Sequence, residues 1–404
     1  MTSALHPVHA PRMKADDVYD TPRRHLDSLP VGFPRSASGM RILRRLFTEL
    51  EARVALGLDS SFRTVNQIGS AVSALGMSAS RLAVEAGCED LYSMLRSMAS
   101  KGSLLYRSTN ESFALLPFVV GMYEMQISRL TREMCDDTSA YMREGYGLEL
   151  LTTGTAQTRV IPVGAAIRPG QRIADYDEYR SLIRGAGGRI AVLDCVCRRG
   201  ADLAGKPCKS TDRRELCMVF RDFADTVLRE GWGKPLTEAE ALEMADLNQR
   251  EGLVMRPSNE QEPQFLCACC GDCCGLIAVV KAMKRPADFV ATNHRASLAF
   301  AACIACGSCA RICPMEAIAL DAEPTKPGGK PRARVLEHRC IGCGVCVMAC
   351  KTGALALQTL PGRRVPPRDT EELLASLATT KPSKWRKLEI GVRGILGLRT
   401  SPHG

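Results

Sequence analysis

The chain has 404 residues, 45% of them hydrophobic and 24% charged, with a formal net charge of +10. That length accommodates two or three domains, and that apolar share excludes a chain dominated by disorder. No apolar run reaches the roughly 18 residues that a spanning helix needs, so no transmembrane segment is expected.

The first residues, "MTSALHPVHAPRMKADD", contain no apolar core, so a signal peptide is not expected. Arg23 and Arg24 form a twin-arginine pair without the hydrophobic stretch that should follow. The expected compartment is the cytoplasm. Structural disulfides are disfavoured there, and dense thiols point to metal or redox work. Thiols are dense here: of 19 cysteines, 17 lie between Cys195 and Cys350.

In chain order, residues 1–38 are polar and proline-rich and read as a flexible arm. Residues 39–125 begin helical. "SRLAVEAG" and "CEDLYSMLRSMASKG" predict two short helices, the second with Leu91, Leu95 and Met98 on one face. "SLLYRSTNESFALLPFVVG" then predicts a hairpin. Two helices followed by a hairpin resemble a winged helix. The would-be recognition helix opens on Glu89 and Asp90 and carries only Arg96 and Lys101 as basic residues. Acid groups at the end that should meet phosphates argue against DNA binding.

Residues 126–295 read as a cysteine-rich α/β domain. "RIAVLDC" predicts a buried strand entering the cysteines, and Thr237 with Glu240 predicts a capping box, with Gly252 at the helix end. The glycines of "GAGGRIAVLD" precede the strand, whereas a dinucleotide fingerprint needs them after it. Cys88 and Cys135 stand alone and read as small buried residues. Residues 296–358 form a further small module. Residues 359–404 are a basic tail, with six Lys/Arg against one Glu from 381 onward. Glycines 391, 394 and 397 weaken any helix there, which leaves a solvated tail or a peripheral contact with a membrane surface.

Two motifs repeat. "CIACGSCARICP" contains Cys303, Cys306, Cys309 and Cys313; "CIGCGVCVMACK" contains Cys340, Cys343, Cys346 and Cys350. Both follow C-x2-C-x2-C-x3-C, the spacing of bacterial two-cluster ferredoxins. Three thiolates two residues apart wrap one cube, and the fourth reaches the other cube. Cys303, Cys306, Cys309 and Cys350 are therefore expected to hold one [4Fe-4S] cluster, and Cys340, Cys343, Cys346 and Cys313 the second. A zinc site typically uses separated CxxC pairs, which fits this pattern poorly. The segment 296–358 resembles the 2[4Fe-4S] ferredoxin family, with "PMEAIAL" and "TGALALQ" matching the hairpin strands after each motif. Lys351 stands where that family usually has proline.

Upstream, "CACCGDCCG" packs five cysteines into nine positions. Cys267, Cys270 and Cys273 repeat the ligand-loop spacing, so a third iron–sulfur cluster is expected. Its fourth ligand is expected to be Cys197, delivered by the strand that ends at Asp194, with Arg198 offsetting negative charge. Cys195, Cys208, Cys217, Cys269 and Cys274 are alternates, and nine thiols allow two cubes at most. Structural zinc, or reactive thiols without metal, remain the alternatives for this stretch. Together, "CVCRRG", "EGLVMRPSN" and "CACCGDCC" resemble a group of microbial dicluster iron–sulfur proteins over residues 60–358. That group combines a winged-helix-like part, a CxCR segment, a cysteine cluster and a ferredoxin module.

The formal charge counts every cysteine as a neutral thiol. Each four-thiolate cube carries roughly −2, so two clusters bring the chain to about +6 and three to about +4. The expected fold class is α+β multidomain. The expected function is single-electron transfer between [4Fe-4S] clusters and a partner dehydrogenase or reductase. The alternative is a redox-sensing winged-helix transcriptional regulator.

Overall fold

The computed structural model describes residues 18–167, 173–320 and 333–403. They form a mixed assembly of helices and strands. The N-terminal unit gathers short helices over a three-stranded antiparallel sheet, ordered Arg63–Thr64, Ser112–Leu115, Leu104–Arg107. The expected helices occur at Ala79–Glu85 and Leu91–Ser100, and the hairpin turns at 108–111. Asp90 caps the second helix, its side chain accepting from Ser93 N.

The described part of the expected arm is not flexible. Asp20–Ser28 is a helix, Leu26 and Phe33 are buried, and Tyr19 Oη donates to the Phe47 carbonyl. The stretch before residue 18 lies outside the described residues. The boundary expected at 125 also moves. Tyr141 and Tyr146 stack at 4.9 Å and pack with Phe33 and Phe118, which draws 132–151 into the N-terminal core. These aromatic contacts join segments far apart in sequence, so local composition does not signal them.

The central domain is built on a five-stranded, wholly antiparallel sheet. Its order is Gly233–Pro235, Ile190–Asp194, Glu215–Phe220, Phe265–Cys269, Val254–Pro257. The helix Glu238–Arg250 starts with the expected Thr237–Glu240 capping box and stops where Gly252 takes φ +74°.

The C-terminal module pairs His294–Leu298 with Leu355–Thr359, and Ile318–Leu320 with Ala333–Val335. A strand thus follows each motif as expected, but the second closes onto the strand before the first motif instead of forming a hairpin. Among the described residues, the module shares its core with the central domain. Ile341 and Val345 bury in one cluster with Val163 and Ala166, and Val163 N donates to the Cys343 carbonyl at 2.9 Å.

The tail is not a solvated coil. Leu373 and Leu377 pack on Val31, and Lys384–Leu396 is a helix. A Cβ at Gly391 would lie 2.7 Å from Leu148, and one at Gly394 would lie 2.6 Å from Phe289. Those two glycines weaken the isolated helix, yet they are what lets it seat so closely. Among the described residues, no helix is long and apolar enough to cross a membrane.

Candidate metal centres

Both C-terminal motifs fold alike. Gly307 and Gly344 take left-handed φ of +75° and +78°, and the short helices Ser308–Ile312 and Val345–Met348 start directly after them. The left-handed residue turns each loop back on itself, which only glycine does without strain. Cys313, Cys340, Cys343 and Cys346 line one small cavity walled by Ala296, Ile318 and Val335. Backbone amides reach the sulfurs: Ala317 N donates to Cys313 Sγ at 3.2 Å and Ala296 N to Cys340 Sγ at 3.5 Å. Burial pushes the Cys343 thiol up to about 12 and raises Cys346 as well. Such thiols do not ionise at neutral pH unless a metal replaces the proton. The other motif is more open: Cys306 is exposed, and Cys309 lies near Cys350 and Cys306. A sulfur-only donor set with amide donors, in a dry pocket, fits an iron–sulfur cluster and does not fit a hard cation.

The nine upstream thiols divide into two groups. Seven of them line a cavity of about 90 Å³: Cys195, Cys197, Cys217, Cys267, Cys269 and Cys274 belong to it alone, and Cys273 is shared with the second group. The six arrive from two helix N-termini and two neighbouring strands. Cys195 caps the helix Val196–Leu203 and Cys274 caps the helix Gly275–Lys281. Cys267 and Cys269 share one face of their strand, two residues apart, and Cys217 stands on the neighbouring strand. Cys197 lies between Cys195 and Cys274, and Cys274 also meets Cys269. Hydrogen bonding with Cys197 lowers the Cys195 thiol below its ordinary value. Helix N-termini favour thiolates, and the same charge preference favours the net negative charge of a thiolate-ligated cluster among them.

The second group holds Cys208, Cys270 and Cys273 with Asp272, all ligand atoms within 4.8 Å of one another. Of the four thiols expected together, Cys197, Cys267 and Cys273 line the thiol cavity, while Cys270 and Cys273 meet Cys208. Cys267 is inside a strand, Cys270 follows its end and Cys273 lies in the turn beyond. Arg198 is 1% exposed, donates to the Ala268 carbonyl at 2.9 Å, and lies near thiols of both groups.

Sequence reasoning missed Glu124 and Tyr123, which also line the thiol cavity. Burial pushes Glu124 up to about 7 despite a bond from Gly121 N. Nothing near "MYEMQ" signals that role. Cys135 is buried as expected and receives the Tyr123 hydroxyl at 3.8 Å. Cys88 is half-buried against the N-terminal core.

These sulfur constellations support iron–sulfur cluster binding. Residues 302–354 match the family model of the 4Fe-4S dicluster domain. No curated protein and no solved structure matches the chain.

Proposed function

We propose that this chain is an electron-transfer protein, a carrier or subunit that passes single electrons to or from a partner dehydrogenase or reductase. The observation that carries the reading is the convergence of Cys313 with Cys340, Cys343 and Cys346 on one buried cavity, since it joins ligands of two motifs. A bound [4Fe-4S] cluster supplies one-electron chemistry, and the chain supplies thiolates, amide donors and a low-dielectric wall. We assign Cys303, Cys306, Cys309 and Cys350 to one cluster and Cys340, Cys343, Cys346 and Cys313 to a second. A third is assigned to the thiol cavity of the central domain, with Cys195, Cys197, Cys269 and Cys274 foremost.

Two contacts support an order for the path. A Cβ at Gly271 would lie 3.1 Å from Pro314, so the upstream cysteine loop abuts the residue after Cys313. At the other end, Cys306 is exposed beside the exposed apolar residues Phe300 and Ile304. The redox partner docks on that apolar rim, and electrons pass between it and the central domain through the buried site.

The N-terminal unit is read as winged-helix-like, supported by its helices and antiparallel hairpin, and as a docking element. The regulator alternative needs free basic residues on the helix Leu91–Ser100. Arg96 instead pairs with Glu230 at 3.1 Å, and Lys101 pairs with Glu51. Trp385, 81% exposed, and Leu388 on the basic tail helix support a peripheral surface contact.

The test is composition and redox behaviour of anaerobically purified chain. About 12 irons and about 12 acid-labile sulfides per chain are expected, at four of each per cube. Cys343→Ser and Cys197→Ser should each remove about four irons. Iron without sulfide, or an absorption that dithionite does not bleach, overturns the reading. A specific gel shift with DNA would favour the regulator.

A further inference from the structure

The geometry points to a mononuclear site, bordering the thiol cavity at Cys273, in which Cys208, Cys270, Cys273 and Asp272 hold one divalent thiophilic cation, zinc by donor chemistry. This inference does not rest on the third cluster. Spacing separates the two classes of centre. In a tetrahedron with zinc–sulfur bonds of about 2.3 Å, ligand sulfurs stand about 3.8 Å apart. Cys208 Sγ is 3.8 Å from Cys270 Sγ, and Cys270 Sγ is 3.0 Å from Cys273 Sγ. A metal ion would spread the second pair by about 0.8 Å. Thiolates on a cube each take a different iron, so the body of the cube holds them much further apart.

Asp272 completes the set from the surface side. Its Oδ1 is 3.8 Å from Cys208 Sγ and accepts from Ser210 Oγ at 3.1 Å, while Oδ2 accepts from Lys209 N at 2.6 Å. The donors follow Cys208 directly, so the carboxylate is oriented by the same loop that brings the third thiol. That is the outer-shell support a ligating carboxylate requires. Three soft sulfurs with one oxygen select zinc over calcium or magnesium.

Arg198 is an independent observation. Its Nε and Nη2 are buried with no hydrogen-bond partner of ordinary geometry among the described residues, and it lies beside Cys208, Cys270 and Cys273. A guanidinium buried without a carboxylate partner requires anionic neighbours. Three thiolates and a carboxylate round a divalent ion leave a net charge of −2, which the arginine partly offsets. The site pins the loop after Ala204 to the turn at Gly271, the turn that abuts Pro314 of the ferredoxin module.

The test uses full-length chain, purified anaerobically with its iron in place and exposed to zinc alone. Metal analysis should find one zinc per chain, and zinc-edge X-ray absorption should find three sulfurs at about 2.3 Å and one oxygen at about 2.0 Å. Cys208→Ser should lower zinc affinity at least about tenfold with iron and sulfide unchanged. Asp272→Cys should retain zinc and raise its sulfur count to four. Loss of about four irons with Cys208→Ser would assign that thiol to a cluster and overturn the inference. So would failure of the wild-type chain to bind zinc, or a sulfur count that Asp272→Cys leaves unchanged. The zinc edge reads the site even if no iron is present, so its failure is distinct from failure of the electron-transfer reading.

Discussion

In the ferredoxin module, Cys303 and Cys306 lie on one short loop, a glycine at +75° or +78° ends each such loop, and the third thiol, Cys309 or Cys346, sits in the first turn of the helix that follows. In the central domain, the six thiols that belong to the cavity alone come from two helix N-termini and two neighbouring strands, spread from Cys195 to Cys274. The first arrangement is written into local backbone geometry. The second exists only once the antiparallel sheet has formed. A locally specified ligand loop tolerates damage elsewhere, whereas a site assembled from distant segments depends on every contact that registers them. The module shares its core with the central domain, however, so its independence is limited to its loops.

Arg198 is where the assembled region should break most easily. It is the buried cation among thiols that belong to both upstream groups. Arg198→Met keeps an unbranched apolar stem and removes the charged guanidinium. Breaking a buried charge pair from one side costs about 3–5 kcal/mol. We expect chemical denaturation to show a loss of that size, with upstream metal lost and the absorption of the module's clusters retained. Loss of the module's iron in equal proportion would erase the distinction between the regions.

Gly344→Ala tests the local region. Its φ of +78° disfavours any side chain, and the added Cβ would lie 2.6 Å from Ala166 Cβ and 2.8 Å from Leu357. Left-handed strain of about 1–2 kcal/mol adds to overpacking of about 1–3 kcal/mol, for a total of about 2–5 kcal/mol. Iron should fall in the module and persist upstream. An unchanged denaturation midpoint would mean that the loop does not need its glycine.

The two regions also differ in how far they can be read from sequence. The repeated C-x2-C-x2-C-x3-C pattern implied loops, glycines and following strands, because spacing along a chain fixes a loop's geometry within a few residues. The strand Ile190–Asp194 and the capping box at Thr237 were legible for the same reason. The division of the upstream thiols was not. The triplet Cys267, Cys270, Cys273 has ligand spacing, and Cys267 and Cys273 do line one cavity, but Cys270 turns toward Cys208. Glu124 reaches the cavity from the irregular segment around Gly121, and only tertiary contact reveals it. The arm and tail misled for a related reason. Their polar and glycine-rich composition hides Phe33, Leu373 and Ile390, which the folded chain buries.

The C-terminal segment offers the smallest effect and a check on long-range assembly away from sulfur. His403 is buried, with Nδ1 2.8 Å from the Thr153 carbonyl and Nε2 3.4 Å from the Phe289 carbonyl. Burial lowers its pKa below the ordinary 6.5, so the folded chain holds the imidazole neutral. The unfolded chain then binds the proton first as pH falls, and folding loses stability below about pH 6.5. Above that value the contribution is fully present and flat with pH. His403→Ala should remove one buried hydrogen bond, worth about 1 kcal/mol at pH 7.5, and should flatten this part of the pH dependence. Hydrogen exchange, corrected for intrinsic rates, should show the helix Lys384–Leu396 loosening in the wild-type chain between pH 7 and pH 5.5, while the thiol cavity keeps its metal. A wild-type tail that tightens as pH falls would reverse the sign and exclude His403 as the titrating anchor.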